Sequence, residues 1–277
     1  MTENSEPKPE RSGPWLHLLM AALSLLMIAP FVWMMLTSFK SLVEASDPEW
    51  MPATLRWGNY PEVFRVIPFL RFGLNSFMVA GWTTLLQVFT SALAAYSFSR
   101  LEWPGRDRVF FLYLGTMMLP GLVMLIPTFQ LMVRMDMVDT YLGLILPASF
   151  SAFGTFLLRQ FMLGIPKALD EAAEIDGASK WQIFWDVILP LSRPGLVTLG
   201  IFTFMGNYQS FFWPLVMMKT VDKFTLPVGL MFFDTERGQS THLLMAGVTM
   251  SVVPLIIIFV FLQRQLIRGI QIGAVKG

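Results

Sequence analysis

Six stretches of this sequence contain no Asp, Glu, Lys or Arg: about residues 15–39, 73–98, 109–133, 140–158, 194–218 and 241–262. Each is long enough to cross a bilayer, which takes roughly 20 apolar residues in a helix. Lipid offers backbone N–H and C=O groups no partners, so a spanning segment has to satisfy them within itself. The pattern therefore predicts an all-α integral membrane protein with six transmembrane helices. Composition agrees, with 14% charged residues and a mean hydropathy of +0.58, against roughly 25% charged in soluble domains. The charges fall in loops, tails and helix edges, which avoids the cost of an ion in hydrocarbon. A further apolar run, FTLPVGLMFF (224–233), is too short to cross and holds Pro227 and Gly229. It is read as a segment lying at, or re-entering, the interface.

Orientation follows from Lys and Arg in the loops. With the N-terminus inside, the inner segments hold Lys8 and Arg11, then Arg100, Arg106 and Arg108, then Arg159, Lys167, Lys180 and Arg193, and finally Arg264, Arg268 and Lys276, which is 12 of the 20 basic residues. This predicts both termini in the cytoplasm, a cytoplasmic tail over 1–14 and a single transmembrane domain over 15–277. The longest inner loop, about 159–193, lies between the fourth and fifth helices; the outside carries 40–72 and 219–240. The polar, Pro-rich N-terminus leads into an apolar run with no small-residue cleavage site, so no removable signal peptide is expected.

Several function classes are set aside. Net charge is +1 and no basic block interleaves with aromatics, which argues against nucleic-acid binding. Without cysteine there are no disulfides, thiolate metal sites or thiol chemistry. No G-x-x-x-x-G-K-[ST] phosphate loop occurs, so ATP, if it drives this protein, has to bind another chain. His17 and His242 sit near the ends of the first and last spans with no second ligand close in sequence, and read as interfacial or hydrogen-bonded. Asp234 and Glu236 read as a solvated turn.

The inner loop is the polar interruption PKALDEAAEIDGASKWQIFWDVILP (166–190). Pro166 suits a first helical turn, KALDEAAEID supplies helix formers, and Gly177 ends the helix where positive φ is needed. Leu169, Ala172, Ala173 and Asp176 share one side at helical spacing, while Lys167, Asp170, Glu171 and Glu174 occupy much of the rest. Ser179 and Gln182 form a capping box that opens a second helix, KWQIFWDVIL, expected to stop at Pro190.

Glu171-Ala172-Ala173, Gly177 and the later Val187-Ile188-Leu189-Pro190 resemble the EAA loop of bacterial ABC-importer permeases, with Val187 where isoleucine is usual. The stretches 75–106, 142–150, 156–179 and the terminal GAVKG (273–277) are similar to carbohydrate-uptake permeases of the binding-protein-dependent family, on the side of the smaller maltose-type subunit. The resemblance implies a permease subunit and not an enzyme, lying in a bacterial or archaeal cytoplasmic membrane. It implies a second related permease, two ATPase subunits that bind ATP and Mg, and an extracytoplasmic substrate-binding protein as partners, with no cofactor in this chain. It further implies that the helix at 167–176 docks in a cleft of the ATPase, with Glu171, Ala172, Ala173, Gly177, Leu189 and Pro190 forming the coupling site. The outer loop around 234–242 would reach toward the binding protein. At FMGNYQSFFWPL (204–215) the chain departs from the family, carrying Tyr208-Gln209 where Trp-Asn is frequent.

Intramembrane polar groups mark either a substrate path or interhelical hydrogen bonds. Asn207, Tyr208, Gln209 and Ser210 are the candidates for a path, with Asn75 and Ser76 behind them. Pro30, Pro120, Pro127, Pro147, Pro214 and Pro254 are placed to bend spans. Besides a sugar importer, the sequence leaves open an importer for a glycerol phosphate or polyol and a stand-alone ion-coupled carrier. The carrier is disfavoured by the lack of intramembrane Asp, Glu, Lys or Arg, and an integral-membrane enzyme by the lack of a clustered His/Asp/Glu constellation.

Overall fold

The structure is a computed structural model that describes residues 14–235 and 240–274, without the side chains of Pro14, Thr235 and 264–274. Lys8 and Arg11 in the tail, Glu236, and Lys276 fall outside the described residues.

All regular elements among the described residues are helical. They are α1 (Pro14–Thr37), α2 (Asn59–Val66), α3 (Phe69–Arg100), α4 (Arg106–Gly115), α5 (Gly121–Arg134), α6 (Tyr141–Ala148), α7 (Ala152–Leu163) and α8 (Ala168–Ile175). After these come α9 (Lys180–Gln182), α10 (Leu189–Leu191), α11 (Arg193–Tyr208), α12 (Phe212–Met217), α13 (Leu226–Leu230), α14 (Phe232–Thr235) and α15 (Thr241–Ala274). Three helices, α1, α3 and α15, are long and apolar enough to cross alone; counting each bent pair as one crossing gives up to six.

The bends have local causes. α4 with its following 3-10 turn meets α5 at 101°, where Pro120, in an extended conformation, precedes Gly121 and lacks the N–H that would continue the ladder. α6 meets α7 at 45°, and the new helix is capped by Ser151 Oγ, which accepts from the Gly154 amide at 3.0 Å. The segment Lys180–Leu191 meets α11 at 75° around Ser192, with Pro194 opening the next turn. Pro30 and Pro254 lie inside unbroken helices, so a proline alone does not decide a break. The expected fifth span is itself interrupted: α11 ends at Tyr208 and α12 begins at Phe212.

The described residues form two compact units, one comprising those up to Val63 with those of Phe233–Thr249, the other those of Phe64–Phe232 with those from Met250. In the first, α1 has none of its apolar window buried. The chain then closes a tight loop: Asn59 Nδ2 donates to Ser38 O at 2.8 Å and Lys40 O at 2.9 Å, and Phe39 meets Trp57 edge-on at 4.7 Å. Lys40 is buried within it, its ammonium donating to the Glu49 carbonyl.

In the second unit α3 packs along both α7 and α11. Close approach depends on small residues: a Cβ on Gly154 would stand 2.6 Å from Ser91 Oγ, and one on Gly195 2.7 Å from the Phe161 ring. In lipid such contacts replace the hydrophobic effect as the packing force. One core cluster gathers Ala92, Ala95, Tyr96, Leu158, Met162, Ile183, Phe184, Ile188 and Leu199. A second gathers Val79, Met132, Leu144, Ile145, Met217 and Met218. The short apolar run at 224–233 gives α13, whose Leu226, Val228, Gly229 and Leu230 are buried; it is part of the packed interior of this unit.

Candidate coupling corner and polar breaks

The loop between α7 and α11 folds into two helices at a corner, as the sequence pattern requires. α8 is closed by Gly177 at φ +84°, a conformation that is costly for a residue with a Cβ. The next helix opens on the expected capping box: Ser179 Oγ accepts from the Gln182 amide at 3.3 Å, and Gln182 Oε1 accepts from the Ser179 amide at 2.8 Å. Lys180 pairs with Glu174 across the turn. The second helix does not stop at Pro190. Ile183–Ile188 is wound as a π-helix and α10 carries Pro190 at its start, the looser winding belonging to a segment that leads into a proline.

The faces of α8 differ from the expected ones. Ala173 turns inward and packs against the first core cluster, whereas Ala172, Glu171 and Asp176 are exposed. Ile175, which the pattern did not single out, is 86% exposed, and Leu169 is 42% exposed. The outward surface is thus an apolar strip of Leu169, Ala172 and Ile175 flanked by acids. Asp170 points the other way. Its side chain is 16% exposed and its Oδ2 accepts from Arg100 Nη1 at 2.9 Å. Arg100, with a 4% exposed side chain, also donates through Nη2 to Ile165 O at 2.8 Å and to Met162 O. Tyr96 Oη donates to Lys180 O at 2.8 Å. Arg159 lies 4.2 Å over the Phe110 ring and donates to Phe98 O at 3.1 Å. Arg100 and Asp170 were missed as a pair; the readable signal was a lone arginine closing a charge-free stretch. Leu189 and Pro190 lie in α10, Leu189 against the first core cluster.

Asn207, Tyr208, Gln209 and Ser210 fall where α11 ends. Asn207 Nδ2 turns back to Thr203 O at 2.8 Å. Tyr208 is buried, stacks on Phe204 at 6.0 Å and reaches Ser251 O at 3.4 Å. Gln209 is exposed and Ser210 half-buried in the break that follows. Asn207 and Tyr208 thus end α11 against packed neighbours, and Gln209 and Ser210 lie between α11 and α12.

The family profile described as "binding-protein-dependent transport system inner membrane component" matches residues 87–272, which take in both the corner and this break. The chain belongs to this family. It is thus a multi-pass inner-membrane protein. It is similar to the arabinooligosaccharides transport system permease protein of Halalkalibacterium halodurans, 36% identical over 82% of this chain and 81% of that one. It is also similar to the sn-glycerol-3-phosphate transport system permease protein of Pectobacterium atrosepticum, 33% identical over 79% and 81% of the two chains. In fold it matches a chain of a bacterial ABC transporter involved in the import of the acidic polysaccharide alginate, with a TM-score of 0.79, 22% identity and coverage of 94% and 99%.

Within this family member the end of α3 opposite Arg100 is also fixed by polar side chains. Asn75 Nδ2 donates to Asp222 O and Phe224 O, both at 2.9 Å, while Tyr141 Oη donates to Asn75 Oδ1 at 2.9 Å. Ser76 Oγ accepts from the Leu226 amide at 2.7 Å. Asn75 and Ser76 thus tie 222–226 to α3. Nearby, Asp139 accepts from the Lys219 and Thr220 amides, from Thr220 Oγ1 at 2.6 Å and from Lys223 Nζ at 3.2 Å. Hydrogen bonding by Thr220 first, then by the two amides and Lys223, holds its carboxyl well below the usual carboxylate range.

Proposed function

We propose that residues 15–277 act as the transmembrane permease domain of an ATP-driven importer that takes up a carbohydrate delivered by an extracytoplasmic binding protein. Both termini face the cytoplasm, and α8 is the coupling helix that meets a separate ATPase. The observation that carries this reading is the outward strip of α8, an exposed apolar surface on a helix held to the rest of the unit by Arg100. An exposed Ile flanked by acids suits insertion into a partner's cleft, and Glu171, Ala172 and Ile175 are the residues that would enter it. Ala173, Gly177, Leu189 and Pro190 set the pose of the helix from behind.

ATP and Mg are bound by two ATPase subunits, and a second related permease completes the path. ATP closure biases a two-state equilibrium through its differential interaction with the two conformations. Gln209 and Ser210, in the break between α11 and α12, are the candidates for the path; Asn207 and Tyr208 shape the helix end that exposes them. The names of the relatives favour an oligosaccharide first and a glycerol phosphate second.

The test is assembly and uptake. Glu171→Lys reverses a charge beside the strip, and Gly177→Leu forces a side chain into a left-handed conformation costing roughly 1–2 kcal/mol. Both variants should insert in the membrane yet lose ATPase co-purification or uptake of labelled arabino-oligosaccharide. Assembly and uptake at the unaltered level in both variants would sink the reading. Uptake of sn-glycerol 3-phosphate in place of the oligosaccharide would select the second substrate class.

A further inference from the structure

α3 has polar ties at both ends. At one end the Arg100 guanidinium fills the corner between α7 and α8, donating to the Ile165 and Met162 carbonyls and to Asp170. One turn earlier Tyr96 holds Lys180, beyond Gly177. Both flanks of α8 therefore hang from the last turns of α3. At the other end Asn75 and Ser76 hold Asp222, Phe224 and Leu226. α3 is one helix from Phe69 to Arg100 without proline, and its stretch from Asn75 to Arg100 is about 38 Å long at 1.5 Å per residue.

The Arg100–Asp170 contact is suited to transmission. A guanidinium is planar and always charged, and its bonds to a carboxylate and carbonyls out of water are strong. The pair also has bonding capacity in reserve, since Arg100 Nε and Asp170 Oδ1 are both buried without a hydrogen-bond partner. Asp170 lies on the inward side of α8, away from Ala172 and Ile175, which separates holding the helix from docking it.

We propose that Arg100 is a positioning residue for transport, passing displacement of α8 to α3 and through it to the segment Asp222–Leu226 at the opposite end. This rests on the reading of α8 as the surface that meets the ATPase.

The chain has no cysteine, so Val221→Cys, labelled with a fluorescent maleimide before reconstitution with the other subunits, reports from the far end alone. The readout is the emission change on adding Mg with a non-hydrolysable ATP analogue. Arg100→Gln and Asp170→Asn should keep the ATPase bound while reducing that response about tenfold, within the usual range of coupling between sites. The double variant should respond no worse than either single one, because both remove the same contact, and Arg100→Lys should fall between wild type and Arg100→Gln. A full response in Arg100→Gln overturns the proposal, as does a wild-type label indifferent to nucleotide, multiplying losses in the double variant, or ATPase loss from Arg100→Gln, which would make the residue merely structural. Failure of the underlying reading looks different: Glu171→Lys and Gly177→Leu would keep both ATPase and uptake whatever Arg100 does.

Discussion

Asp139 sits at φ +58°, a backbone conformation that Asp tolerates better than most residues, and its carboxylate collects two amides, a hydroxyl and an ammonium. These bonds favour the charged form, so the folded-state acidity is greater than that of the unfolded chain. The sign follows. A carboxyl with a lowered folded pKa contributes stability that is present above its unfolded value, near 3.9, and is lost as pH falls through the lower folded value. Thermal unfolding of Asp139→Asn in detergent should therefore show a deficit against wild type at pH 7 that shrinks below about pH 4. A deficit that stayed constant down to pH 2 would mean that the carboxylate charge contributes nothing. No charge pattern announced this clasp, because Asp139 and Thr220 are distant in sequence and Asp139 reads there as one more loop acid. Gly177 was legible, by contrast, since its role is local: a helix end needs positive φ whatever surrounds it.

Elements whose signals are local were readable in the same way. The capping box at Ser179 and Gln182 and the charge-free stretch 73–98 within α3 need no tertiary information. The π-helical winding over Ile183–Ile188 and the burial of α13 do need it. FTLPVGLMFF reads as interfacial or re-entrant because it is too short to cross; what the pattern does not announce is its packing, α13 being buried with Gly229 against Phe72. A Cβ there would stand 2.0 Å from Phe72 Cδ2, and Phe72 is itself fully buried. Gly229→Ala should cost about 1–3 kcal/mol by overpacking, read as a lowered melting temperature. Adding Phe72→Leu should recover part of the loss. An unshifted melt in the single variant would place α13 off α3. The alanines at 172 and 173 teach the complementary lesson: helical spacing put them on one side, but the inward pull of Ala173 toward the core split them.

Across the molecule, the apolar surface is turned outward as well as inward, as lipid permits. Leu25 and Leu26 of α1 are 69% and 70% exposed, while Leu158 of α7 is fully buried. Leu158→Ala should cost about 2–5 kcal/mol, whereas Leu25→Ala and Leu26→Ala should each shift stability by no more than about 0.5 kcal/mol. Melting curves of the three variants in one detergent decide the matter, and equal losses would mean that α1 is covered by its own chain.

That bareness of α1 has a consequence for biogenesis. α1 is synthesised before α3, α7 and α11, and none of its apolar window is buried among the described residues. It enters the bilayer as a finished anchor, held by transfer free energy alone. α3, α7 and α11, whose close contacts run through Gly154 and Gly195, reach their final packing only after Gly195 has been synthesised. Insertion and folding of this permease are thus separated in time, with the early helix spent on holding the nascent chain in place.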